Sequence, residues 1–170
     1  MKHRASGNPL SNYRRIQRQI REIFDPFTAK HCPSCTTPCC IKPTRVVPFD
    51  VALAEGTGHT WPHLNNTDPY AAALEHASGR LIHGAIGLTM APIDSDVSEP
   101  CEYLDQGRCS FPNDLRPFGC TTYICDPMYK NLPDDEIRKL RRLTRDLEQA
   151  HVYLLRALRN SGRAVDIEDD

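Results

Sequence analysis

The chain has 170 residues, with 21 Lys and Arg against 22 Asp and Glu, so its formal net charge is −1 and no global field draws it to nucleic acid or an anionic membrane. Only 36 residues are Leu, Ile, Val or Phe, which limits the apolar core, while the balanced charge removes the self-repulsion that holds polar chains open. A chain of this size forms one domain, and a thin core calls for a staple, either metal or disulfide.

In chain order, residues 9–27 carry a helical stripe of Tyr13, Ile16, Ile20, Ile23, Phe24 and Phe27. Ser11 is the expected N-cap, Pro26 marks the expected end, and Arg14, Arg15, Arg18 and Arg21 fill the other side. Residues 28–48 hold Pro33, Pro38, Pro43 and Pro48, which forbid a long helix or a central strand. Val46 to Glu55 reads as a short strand running into a short helix, with Asp50 as a cap candidate. Residues 56–68 are loop by composition. A short helix follows from Pro69 to Ala77, capped by Asp68 and stopped by Gly79, and Arg80 to Met90 reads as one or two short strands.

The clearest element is the helix over 134–160. Pro133 precedes it, Asp134 caps it, Asp135 and Glu136 suit its positive end, and Gly162 closes it. Its stripe is Ile137, Leu140, Leu143, Leu147, Ala150, Leu154 and Leu158, and an acidic tail occupies 163–170. The expected fold is mainly α with irregular Cys-rich loops and room for a small β-hairpin. It is a single domain over 1–170, in which two long helices flank a cysteine-cluster region at 28–130.

Eight cysteines fall into two sets of four. Cys32, Cys35, Cys39 and Cys40 are spaced C-x2-C-x3-C-C, and Cys101, Cys109, Cys120 and Cys125 lie in a second turn-rich segment. Thiolates are soft ligands for zinc, copper(I) and iron–sulfur clusters, and two Cys separated by two residues reach one ion from a single turn. The N-terminus lacks an apolar signal run, and no segment is long and apolar enough to span a bilayer. The expected compartment is therefore cytoplasmic, without a membrane partner, and clustered thiols there indicate metal rather than disulfides. A redox-active C-x-x-C would need a strand before it and a helix after it; here a helical stripe comes before and prolines come after.

Other constellations are weaker. His59, His63, His76 and His83 lie in or beside loop sequence, where an i,i+4 spacing has no ligating meaning, so they are read as ordinary solvated or hydrogen-bonded side chains. Asp94, Asp96 and Glu99 form an acidic patch best read as polar loop. Arginines on both long helices interleave with acids such as Asp135, Glu136 and Asp146, so nucleic acid is not the favoured partner. No phosphate loop, nucleophile elbow or zincin motif occurs, and nothing nominates a catalytic acid, base or nucleophile.

Cys32-Pro-Ser-Cys35-Thr-Thr-Pro-Cys39-Cys40 resembles the hallmark of the YkgJ-type cysteine-cluster family, described as zinc- or iron-chelating domains. Cys101-Glu-Tyr-Leu104 resembles the family's Cys-x-x-Leu, and Cys109 followed by Arg116-Pro117-Phe-Gly-Cys120 resembles its Cys, Arg-Pro-x-x-Cys run. The likeness covers 32–40 and about 101–125; the middle of the chain and both long helices match no motif of the family. The gap between Cys109 and Arg116 is one residue longer than usual, and Phe111 stands where an aliphatic is common. A related cluster in a flagellin lysine methylase is associated with an iron–sulfur centre, so the resemblance implies metal and leaves zinc or iron open. It also favours Arg116 as a guanidinium that offsets thiolate charge and helps hold the cluster.

The chain is thus expected to bind metal through its clustered thiolates. Zinc in a closed structural site comes first, with iron or a [4Fe-4S] cluster close behind. The first site expected draws on Cys32, Cys35 and Cys39 or Cys40, completed by a Cys of the second loop, because only cross-loop ligation closes the long intervening chain. The partner is then a metal ion together with an unidentified protein. An iron–sulfur redox accessory and a zinc-stabilised RNA-binding module are the alternatives. If metal staples the fold, Cys35→Ser must lose folding stability along with metal; a variant that loses metal yet melts like the parent, followed by circular dichroism, contradicts the staple.

Overall fold

A computed structural model describes residues 8–35, 40, 45–64, 68–71, 73 and 100–165. The fold is mainly helical with one small sheet. Helix α1 runs over Pro9–His31 and continues into a tight 3-10 turn at Cys32–Ser34. Helix α2 is Pro48–Glu55, and a second tight turn covers Pro62–Leu64. Strands β1 (Leu104–Asp105) and β2 (Arg108–Cys109) precede two short helices, α3 (Phe118–Thr121) and α4 (Asp126–Asn131), before the long α5, Asp134–Val165. The helix expected from Pro69 begins where anticipated, with Asp68 Oδ1 accepting from the Tyr70 N–H at 2.9 Å. Its remainder from 74, the strands expected over 80–90 and the acidic patch at 94–99 lie outside the described residues, as do His76, His83 and the tail from 166.

Helix α1 starts at Asn8 rather than Ser11. The Asn8 side chain accepts from the Leu10 N–H at 2.9 Å, and Pro9 occupies the first position, where its missing N–H costs nothing. Pro26 lies inside the helix instead of ending it. One lost backbone hydrogen bond is outweighed by burial of Ile23, Phe24 and Phe27 around it, and the Phe27 ring stacks on His31 at 4.4 Å.

The main core is the seam between α1 and α5. The whole expected α1 stripe is buried there against Leu140, Leu143, Leu147, Ala150 and Leu154. The start of α1 meets the second half of α5, with the Tyr13 ring 5.9 Å from His151. Helix α5 has 32 residues against 23 in α1, so it extends roughly 14 Å further and outruns its partner. Leu158 is accordingly 46 % exposed rather than part of the buried stripe, and Gly162 falls within the helix instead of closing it. Among the described residues no helix is long and apolar enough to cross a membrane.

A second, smaller core gathers Val46, Val51, Ala54, Trp61, Leu64, Ala73, Tyr103 and Phe111, with Cys101 and Cys109 at its edge. Its centre is aromatic: Trp61, Tyr103 and Phe111 pack with ring centroids 5.1 to 5.9 Å apart. Helix α2 sits between the two cores, with Phe49 and Leu53 on the first and Val51 and Ala54 in the second. Among the described residues no strand precedes it; residues 45–47 are irregular, and Pro48 opens the helix directly.

Two polar contacts fasten α1 to the loop that carries the second cysteine set. Arg14 Nε and Arg18 both donate to Asp114 Oδ2, at 2.9 and 2.8 Å. Partial burial would raise the Asp114 pKa, but the two guanidiniums hold it below the ordinary carboxylate value. Deeper in, the fully buried Gln17 donates to the Arg116 carbonyl at 2.8 Å and accepts from Thr121 Oγ1 at 3.1 Å. Gln17→Leu keeps the volume but leaves both partners without their hydrogen bonds. It is expected to lower unfolding free energy by about 1–3 kcal/mol, read as a reduced urea midpoint, and an unchanged midpoint contradicts this role.

Candidate metal centre

The second cysteine set is assembled by local turns. Leu104 N donates to the Cys101 carbonyl at 3.0 Å, which curls the chain ahead of β1. The hairpin then reverses it through Gln106 and Gly107, at φ 47° and 76°, with Leu104 paired to Cys109 and Asp105 to Arg108. Two consecutive left-handed residues match the right-handed twist of a two-residue hairpin, and the glycine accepts that conformation without strain. Ser110 N extends the pairing to the Tyr103 carbonyl at 2.8 Å. Cys109 is thereby returned toward Cys101, with both half-buried against the aromatic core.

Cys120 comes from α3. Asp50, only 3 % exposed, orients that helix: its Oδ1 accepts from Phe118 N and its Oδ2 from Val47 N, both at 3.0 Å. Asp50 therefore occupies the third position of α2 and reaches back to the helix start, while its other oxygen holds α3. Gly119 lets residue 45 lie directly on α3. A Cβ at 119 would stand 2.8 Å from Arg45 Cβ and 3.0 Å from the Arg45 carbonyl oxygen.

These placements bring Cys120 within electrostatic reach of Cys109 and Cys101. Crowding by protein atoms, then the neighbouring Cys109 and Cys101 thiols and the Asp50 carboxylate, push the Cys120 thiol up to about 12, against a backbone hydrogen bond from Arg45 that favours the thiolate. One side of Cys120 nonetheless faces solvent, so crowding and access coexist at this sulfur. The first set joins through Cys40, whose carbonyl accepts from Cys101 N at 2.9 Å. Cys32 and Cys35 sit on the 3-10 turn that ends α1, and Cys39 lies outside the described residues.

Cys125 is placed differently. It precedes α4 and packs against the main core with Ile124 and Leu132. Arg116 reaches the Cys109 carbonyl with one guanidinium nitrogen at 2.8 Å and Asn113 Oδ1 with another at 2.7 Å. It thus positions the β2 backbone. His63 Nε2 lies 3.2 Å from the Glu102 carbonyl, and His59 stands edge-on to Trp61 with its pKa lowered, chiefly by burial. Among the described residues, no three His, Cys, Asp or Glu side chains converge closely enough to hold a metal ion. The donor chemistry of Cys40, Cys101, Cys109 and Cys120 nevertheless suits a thiophilic metal, and such an ion would have to displace a proton from Cys120.

The expected capping role of Asp50 is present, but sequence reasoning missed its bond to α3 and missed Gln17 and Thr121 as organisers of this region. A polar residue one position from a helical stripe, as Gln17 is next to Ile16, and a carboxylate two residues after a helix-opening proline were the available signals. Comparison of the chain with models of known protein families, with curated proteins and with solved structures finds no match.

A raised thiol pKa leaves less thiolate at a given pH, and alkylation proceeds through the thiolate. In metal-free protein at about pH 8, Cys120 is therefore expected to react with iodoacetamide at least tenfold more slowly than in the urea-unfolded chain, despite its exposed side. Equal rates by peptide mass spectrometry contradict this environment.

Proposed function

We propose that this protein is a thiolate metal-binding protein whose centre bridges the two cysteine sets, with zinc as the first metal. The observation that carries the proposal is the Cys101 N to Cys40 carbonyl hydrogen bond, which brings Cys40 of the first set to the segment where Cys109 and Cys120 already neighbour Cys101. Cys40, Cys101, Cys109 and Cys120 are the ligands nominated. Cys32 and Cys35, on the turn that ends α1, and Cys39, adjacent to Cys40 in sequence, are left for ligand exchange or a second ion, while Cys125 packs against the main core.

Four thiolates around Zn²⁺ leave a net charge of about −2, which the Arg116 guanidinium, held on the Cys109 carbonyl, partly offsets. Such an ion joins segments far apart in sequence, so its binding energy adds to folding energy and supplements a thin second core. The same thiolates suit iron or a [4Fe-4S] cluster, and in that case the protein serves as a redox accessory. A cytoplasmic, reducing location keeps these thiols available.

Metal analysis and visible absorbance of protein purified without oxygen test the proposal. One or two zinc per colourless chain, with loss in Cys101→Ser and Cys120→Ser but retention in Cys125→Ser, is the expected result. Brown protein with iron and acid-labile sulfide reassigns the metal. Protein that takes up neither metal overturns the proposal.

A further inference from the structure

The geometry points to a single-stranded nucleic acid site in the open groove between α5 and the segment joining α3 to α4. The groove encloses about 440 Å³ and is lined by Tyr123, Ile124 and Tyr129 on one side and Arg141, Thr144 and Arg145 on the other. It lies outside the thiolate cluster, and the inference stands independently of metal.

Three features select the ligand. First, the groove offers aromatic platforms: Tyr123 and Tyr129 are 39 % and 45 % exposed and line it together. Second, each ring is backed by a cation. The Arg45 guanidinium lies over Tyr123 at 3.5 Å from the ring centroid, and that of Arg141 over Tyr129 at 5.4 Å. Third, Arg141 and Arg145 are successive residues of one helical flank, about 6 Å apart along the axis, and Arg138 lies on the same flank a turn earlier.

Among the described residues neither Arg141 nor Arg145 is in a salt bridge, and no carboxylate lines the groove. The carboxylates of this flank, Asp134 and Glu148, lie two turns before Arg141 and a turn beyond Arg145. From sequence alone, interleaved acids argue against nucleic acid; in the folded chain α5 turns Lys139, Arg142 and Asp146 to its other flank.

Aromatic faces alternating with guanidiniums along an open groove are what a flexible strand uses: bases stack on the rings and phosphates meet the cations. Repetition of both elements favours a strand over a mononucleotide, which needs one platform. An acidic peptide would use the arginines but leave the ring faces idle. A rigid duplex presents phosphates without free base faces.

The test uses the full-length protein as purified and a fluorescein-labelled oligouridine of about ten nucleotides, read by anisotropy. Binding is expected to weaken about tenfold between roughly 50 and 200 mM salt, as for two or three phosphate contacts. The double variant Arg141→Ala, Arg145→Ala should reduce the slope of log affinity against log salt by about 1.4. Tyr129→Ala should weaken binding about fivefold or more, while Tyr129→Phe, which keeps the ring, and Lys139→Ala, on the opposite flank, should bind like the parent. All four positions are exposed, and circular dichroism verifies that each variant folds. Four results overturn the inference: no salt-sensitive binding; equal loss in Lys139→Ala; Tyr129→Ala binding like the parent; or equally tight binding of the duplex, of inorganic polyphosphate or of a poly-glutamate peptide.

Discussion

A single buried carboxylate ties this molecule together. Asp50 accepts one hydrogen bond from the start of its own helix and one from the start of α3, and α2 stands between the two apolar cores. The second core, an aromatic knot, holds Cys101 and Cys109 at its edge, and the first, a helix seam, packs on Phe118 and Cys125. Taking a carboxylate out of water costs several kcal/mol unless backbone donors satisfy it, and here each oxygen has one. The geometry of α3, and with it the position of Cys120, follows from that pair of bonds.

The thiols are delivered by three unrelated devices. A hairpin returns Cys109, a clamped short helix presents Cys120, and a backbone hydrogen bond between loops brings in Cys40. On the proposed reading, the bound ion completes what these devices begin and offsets the burial and the thiolate repulsion that otherwise keep Cys120 protonated. Arg45 connects this region to the groove on α5. Its backbone faces Cys120, its Cβ packs on Gly119, and its guanidinium covers Tyr123.

The apolar faces of the long helices were legible in the sequence because a period of 3.6 survives any detail of packing. Tyr13 through Phe27 on α1 and Ile137 through Leu154 on α5 are buried as the pattern predicts. Helix ends were less legible. Asn8 displaced Ser11 because Pro9 favours the first helical position, and the helix ran through Pro26 because the seam with α5 buries residues on both sides of it. Leu158 fits the periodicity yet faces solvent, since α1 offers nothing to cover it. A small β-hairpin was expected in the Cys-rich region, but its place at 104–109 was not legible because Gln-Gly is a weaker turn signal than Asn-Gly or Asp-Gly.

By itself, then, the sequence determined a mainly helical chain with two amphipathic helices and eight thiols in two sets, because periodicity and composition are local properties. Only the tertiary structure decided that Cys101, Cys109 and Cys120 are neighbours while Cys125 belongs to the main core, and that Arg141 and Arg145 share a groove with Tyr129. Those groupings depend on Gln17 and Asp50, whose partners lie far along the chain, from 116 to 121. A hydrogen bond across such a separation leaves no spacing in the sequence from which it could be read.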